Sequence, residues 1–137
     1  MAGNMEKYES YALAYDRIAE ALEQGFPLEA IAIEESIIAD RLVSYLVFRD
    51  VTNPPINNFG KLIEFAEKHS ESSNALFFEQ VRTWKNGRNS MLHGIVKSMP
   101  GTAPATKAED FIAEASRLAE EGLKLTRVVQ TWQRKQK

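Results

Sequence analysis

The chain contains no cysteine, which excludes disulfides and thiolate metal sites and is compatible with a reducing cytoplasm, the expected location. It has only two histidines, His69 and His93, so no histidine cluster is present to hold a metal, and no cofactor is expected. No apolar run is long and clean enough to span a bilayer. The most apolar region, around Ile31 to Phe48, carries Glu34, Glu35, Asp40 and Arg41, so no membrane partner is expected. The opening Met1-Ala2-Gly3-Asn4-Met5-Glu6-Lys7 has no apolar core of the kind a signal peptide needs. Alternating strand patterns are absent throughout. Neither sign of charge dominates, and a net charge of −2 argues against a general nucleic-acid coat.

What remains is helix. At 137 residues, 44% hydrophobic and 26% charged, the chain reads as a single soluble domain, residues 1–137, with enough apolar side chains for a real core. Asn4 is placed to cap a first helix running to about Gln24, with Tyr8, Tyr11, Tyr15, Ile18 and Leu22 at three- and four-residue spacing. Three tyrosines in a seam suggest either base stacking or, more simply, a bundle or dimer seam with the hydroxyls at its edge. Gly25 closes this helix, and Pro27 suits the first turn of the next.

The second helix, about Pro27 to Arg49, is apolar on most sides. Ile31, Ile38, Leu42 and Leu46 form one stripe, and Ile33, Ile37, Val43 and Val47 cover much of the rest, as in the central helix of a bundle. Glu35 projects onto the first stripe. Glu34 and Arg41, seven apart, share another strip and read as a surface or interface pair. The segment Val51-Thr52-Asn53-Pro54-Pro55-Ile56-Asn57-Asn58 is a loop. A short helix from about Asn58 to His69 follows, with Leu62, Ile63, Phe65 and Ala66 inward and His69 complementing its C-terminal dipole. After the turn at residues 70–73, Ser73 or Asn74 can cap a fourth helix to about Ser98, although Gly87 could break it. Ser98 to Ala105 is a connector. Thr106 with Glu109 forms a capping box that opens a last helix to about Arg134. Its stripe is Phe111, Ala115, Leu118, Gly122, Leu125, Val129 and Trp132, widened by Ile112 and Leu123. The expected fold is all-α: an antiparallel bundle of about five helices.

The fourth helix holds the unusual chemistry. Phe77, Val81, Trp84, Met91, Leu92, Ile95 and Val96 share one side of it, and at about 100° per residue Arg88 falls near the centre of that stripe. A charge in a packing stripe costs several kcal/mol, on the order of a lost buried pair, unless it is paired or meets an anion. Glu35 is a second misplaced charge of opposite sign; it either pairs with Arg88 or falls at a dimer seam. Asn89 and His93, four apart, share a flank of the stripe. Arg82, Lys85, Arg88 and Lys97 against Glu79 give Asn74 to Ser98 a local charge of +3, so the remainder of a −2 chain carries −5. That contrast suits one localised anionic ligand.

Arg88-Asn89-Ser90-Met91-Leu92-His93 reads R-N-x-x-x-H and resembles the R-x(4–6)-H motif of the HEPN superfamily, including the polar residue directly after the arginine. The all-helical bundle, the late position of the motif helix, the Gly after the His and the long last helix agree. So does Glu34-Glu35-Ser36-Ile37-Ile38-Ala39-Asp40-Arg41-Leu42, which is similar to the second helix of small HEPN proteins. The likeness covers most of the chain as architecture; only the six-residue motif is specific. It implies a HEPN-like homodimer with two motifs meeting across a two-fold cleft. Many such proteins are metal-independent endoribonucleases, often toxins or defence effectors, with RNA as substrate. His93 would then act as general acid or base, Arg88 would fork onto the phosphate, and Asn89 would orient the imidazole or bond the phosphate. Glu35, Lys85 and Lys97 would support them. An antitoxin or a nucleotidyltransferase is the further partner implied. In one HEPN branch a Tyr two residues after the His is modified by such a transferase; here that position is Ile95, which removes that target. The alternative is a non-catalytic HEPN-like module that binds a nucleotide or regulates another protein. In that case Arg88 pairs with Glu35 to set helix register and His93 bonds a carbonyl at the edge of the core.

Overall fold

The computed structural model describes residues 2–94, 100–101 and 107–136. The described residues form five α-helices: α1 (Ala2–Gln24), α2 (Pro27–Phe48), α3 (Phe59–Lys68), α4 (Ala75–Gly94) and α5 (Ala108–Lys135), with a 3-10 turn, Ser72–Asn74, leading into α4. No strand occurs among the described residues, and none of the described helices is long and apolar enough to cross a membrane.

Local chemistry sets most of the boundaries. Gly25, at φ 80°, ends α1. Its N–H bonds Leu22 O at 3.4 Å and that of Phe26 bonds Ala21 O at 2.8 Å, the paired closure that a left-handed glycine permits. Pro27 occupies the first turn of α2, where its missing N–H costs nothing. Asn58 caps α3 by accepting from the Lys61 N–H at 3.0 Å. His69 stands at the C-terminal end of α3 and packs against the Phe65 ring at 4.6 Å. Three expected boundaries differ. Asn4 does not cap α1, because the helix already includes Ala2 and Gly3. Asn74 bonds Ser70 and Trp132 through its side chain instead of capping α4. The residue before α5 is Lys107, which makes no side-chain cap bond, and Thr106 lies outside the described residues.

Contacts between named residues give the directions of the helices. Lys7 reaches Asp40 and Arg17 reaches Glu29, so α1 and α2 are antiparallel. Arg82 pairs with Glu67, and Trp84 Nε1 donates to Leu118 O at 2.9 Å while Trp132 donates to Asn74, so α4 is antiparallel to both α3 and α5. Helices α2 and α5 are not antiparallel. Glu34 lies against Gly122 and Arg41 bonds Gln133, so the two helices with the most extensive mutual packing run the same way. The ten-residue connection after α2, with Asp50 and Asn53 in the left-handed region, returns the chain to start α3.

The core is centred on α2, which buries Ala30, Ile31, Ile37, Ile38, Leu42, Tyr45 and Leu46. At one end Tyr45, Phe77, Phe78 and Trp132 form an aromatic cluster, with Phe77 stacked on Trp132 at 4.1 Å. Several residues assigned to apolar stripes face water instead: Tyr8, Val47, Leu92 and Ile112. Each lies at the margin of its stripe, where a rotation of a few tens of degrees decides burial.

Glu34 is the largest departure from the expected pattern. It is fully buried, and Arg41 pairs with Asp40 instead of with it. The carboxyl lies against Gly122 and Trp84. A Cβ on Gly122 would collide with that carboxyl and would sit 2.8 Å from Trp84 Cζ2, so the close approach requires glycine there. Neither carboxyl oxygen has a hydrogen-bond partner among the described residues. Burial, with the Glu120 carboxylate adding to it, pushes Glu34 up to about 9, so it is a neutral acid at pH 7.

A raised carboxyl pKa stabilises the fold fully below the unfolded value, and that contribution is lost as pH rises toward the folded value. Thermal stability is therefore expected to fall between about pH 5 and pH 9, with Glu34 contributing at most ~1.4 kcal/mol per pH unit. Glu34→Gln should flatten that slope in melts taken across the range; an unchanged slope would show that Glu34 is not the group responsible.

Candidate functional site

The buried side of α4 is formed by Phe77, Val81, Trp84 and Met91, together with Phe78. The four-three spacing of the first four leaves one vacancy, and Arg88 fills it. The helix is continuous through Gly87, so the angular projection holds across the motif. The Arg88 side chain is 17% exposed and forms an ion pair through Nη1 with Glu35 Oε1 on α2, itself 31% exposed. The two charges that sequence patterning marks as misplaced are therefore partners within one chain. Burial draws the Arg88 pKa down from its ordinary value, which is the desolvation that the pair must offset.

Two further groups complete the surroundings of the guanidinium. Asn89 Oδ1 accepts from Arg88 Nε at 3.2 Å and from Nη2 at 2.9 Å. The Phe59 ring, at the first position of α3, lies 5.6 Å from the guanidinium carbon, within cation–π range. Phe59 also meets Trp84 edge-on at 6.5 Å, so the ring under the arginine is wedged by the core. It went unnoticed in the sequence because nothing local links residue 59 to residue 88. The Asn58 cap, which fixes where α3 begins, was the available clue.

The other expected members are placed differently. His93 lies in the last turn of α4 and is exposed. At five residues from Arg88 it projects about 140° round the helix, and only about 40° from Asn89. Asn89 is thus the link, with one side on the guanidinium and the other toward the histidine flank. Among the described residues no hydrogen bond orients the imidazole. Lys85 is half-buried one turn before Arg88, with its ammonium beside Asn58 and Gly60 at the start of α3. Lys97 lies outside the described residues, as do Ile95 and Val96. No group of three His, Asp or Glu among the described residues could hold a metal.

The chain matches no family model, no curated protein and no solved structure. The site is therefore read from its own geometry. That geometry is a guanidinium fixed at the core boundary, with one edge on a carboxylate and the other on a carboxamide, and a histidine at the solvent surface one turn on.

The pair's cost is measurable. Glu35→Ala leaves Arg88 half-buried without its anion and should lower stability by about 1–2 kcal/mol, less than for a sealed pair because both partners reach water. Replacing both residues, Glu35→Leu with Arg88→Leu, should restore stability to within about 1 kcal/mol of the parent or better. Denaturant unfolding of the two variants checks this; a double variant as weak as Glu35→Ala would mean that the pair is needed for folding.

Proposed function

We propose that this chain is a HEPN-like, metal-independent endoribonuclease acting as a homodimer, with Arg88, Asn89 and His93 as its reacting constellation. One observation supports it most. The Nε/Nη2 edge of Arg88 suits two oxygens, yet both its N–H groups converge on the single neutral oxygen of Asn89. A phosphate offers two oxygens and a negative charge to that same edge. Glu35 holds the opposite edge, so the guanidinium stays oriented when the phosphate displaces the carboxamide.

The chemistry suits these groups. The RNA 2′-oxygen attacks the adjacent phosphorus while its proton passes to a base, the P–O5′ bond breaks, and the leaving 5′-oxygen takes a proton. The products are a 2′,3′-cyclic phosphate and a 5′-hydroxyl. His93 supplies an imidazole for one of the proton transfers, and the His93 of a second subunit supplies the other. Arg88 stabilises the charge that builds on the phosphate oxygens. Asn89, released from Arg88, bonds the phosphate or the imidazole.

A second reading is favoured by one specific feature: no described hydrogen bond orients His93, whereas acid–base catalysis needs a held imidazole. On that reading the site is a binding module for a nucleotide or a protein and cuts nothing.

Cleavage of a mixed RNA substrate in EDTA separates the two. The parent should cut and leave cyclic phosphate ends. Folded Arg88→Ala and His93→Ala variants should each lose about 10²–10⁴-fold in rate. If parent and variants behave alike, the motif is not catalytic and the binding module is the better reading.

A further inference from the structure

A second cluster of cations lies apart from the motif. Arg41 of α2 and Arg127, Gln130, Thr131, Gln133 and Arg134 of α5 line a recess of about 330 Å³ with no carboxylate among them. Elsewhere Arg17, Arg82, Arg88 and Arg117 each face at least one Glu, and Arg49 lies over the Tyr45 ring with no ion pair among the described residues. Arg127 and Arg134 have no ion-pair partner among the described residues, in a chain with more carboxylates than cations. The C-terminal dipole of α5 accounts for Arg134. It does not account for Arg127, about two turns earlier, or for Arg41, which comes from another helix.

The recess is built, not merely charged. Gln133 is 3% exposed and its Oε1 accepts from Arg41 Nη1 at 3.2 Å. Arg41 is further held by Asp40 at 2.7 Å and lies over the Tyr11 ring at 4.9 Å. Asp40 itself is saturated by Lys7, Tyr11 and Arg41, which outweigh the burial opposing its charge and hold it below the usual carboxylate range. Asp40 is therefore ionised and offsets part of the Arg41 charge, so the cations left for an incoming anion are chiefly Arg127 and Arg134, with Lys7 balancing the rest of Asp40. Arg127 lies 5.0 Å from the Tyr15 ring centroid, and the Tyr15 hydroxyl donates to Gln130. Arg134 Nη2 reaches Thr131 Oγ1 at 3.4 Å. Three guanidiniums, two carboxamides and a hydroxyl make a donor-rich recess suited to a tetrahedral oxyanion.

A groove of about 810 Å³ continues from it, sharing Arg41, Gln130 and Gln133 and walled by Tyr8, Val47 and Phe48. Those three side chains are 73%, 62% and 54% exposed, an uncovered apolar surface with two aromatic rings directly beside the cationic recess. We propose that the recess binds the phosphate of a small aromatic phosphoester of mononucleotide size, whose ring system lies in the groove against Tyr8 and Phe48. Arg41 is six residues from Glu35 and about 240° round α2 from it, so this site opens away from Arg88 and does not depend on the ribonuclease reading.

Calorimetric titration with inorganic phosphate, adenosine monophosphate and adenosine tests the proposal. Adenosine monophosphate should bind about tenfold tighter than phosphate, and adenosine should show no binding at millimolar concentration. Arg127→Gln with Arg134→Gln, both surface changes, should weaken adenosine monophosphate at least about tenfold without lowering the melting temperature. Tyr8→Ala should bring adenosine monophosphate to the level of phosphate, and Arg88→Ala should leave all three titrations unchanged. No binding at millimolar concentration, or binding indifferent to the two arginine changes, overturns the site. Equal affinity for phosphate and adenosine monophosphate overturns the groove as the ring's position. Loss of binding in Arg88→Ala would place the ligand at the motif instead.

Discussion

Helix α2 must bury a broad apolar side, and that requirement arranges the other helices. Ile31, Ile37, Ile38, Leu42, Tyr45 and Leu46 are all buried on that side, while Val47 and Phe48 at the end of the helix stay exposed. Helices α1, α3 and α5 each pack directly on it, while α4 meets it through Arg88 and Glu35 and through the aromatic cluster around Trp132. The α5 contact is the closest where Gly122 admits the Glu34 carboxyl. Apolar burial of this extent outweighs the cost of enclosing a few polar groups on the same helix.

Two adjacent glutamates on α2 show how position decides the fate of a charge. Glu34 points into a wall of Trp84 and Gly122 and gives up its charge, because burial penalises the carboxylate and no cation among the described residues pairs with it. Glu35, about 100° round the helix, reaches the core boundary and keeps its charge by meeting Arg88. An ion pair of this kind adds little to stability compared with an apolar pair of similar size.

Much of the candidate site was legible before any coordinates. Periodicity alone put Arg88 within the apolar stripe of α4 and Glu35 within that of α2, and the cost of two isolated charges made their pairing the economical solution. Asn89 as a link to the histidine flank followed from the same angular count. Phe59 was hidden, because contacts between α3 and α4 depend on how the ten-residue connection returns the chain. The recess formed by Arg41, Arg127 and Arg134 was hidden for a similar reason: residues about ninety apart come together only because α2 and α5 run in parallel. Glu34 was misassigned because a seven-residue spacing to Arg41 marks a shared strip of helix but not whether that strip faces water.

By itself the sequence determined the helices, their approximate limits and which of them is central, because these follow from local backbone chemistry and from the spacing of apolar side chains along one helix. It also determined that the polar chemistry of α4 is concentrated at Arg88, Asn89 and His93. Tertiary structure alone decided the direction of α2 against α5, the burial and neutrality of Glu34, the exposure of His93 and the gathering of three arginines into one recess. Those outcomes depend on rotation about each helix axis and on packing between distant segments, where a few tens of degrees separate a buried carboxyl from a solvated one.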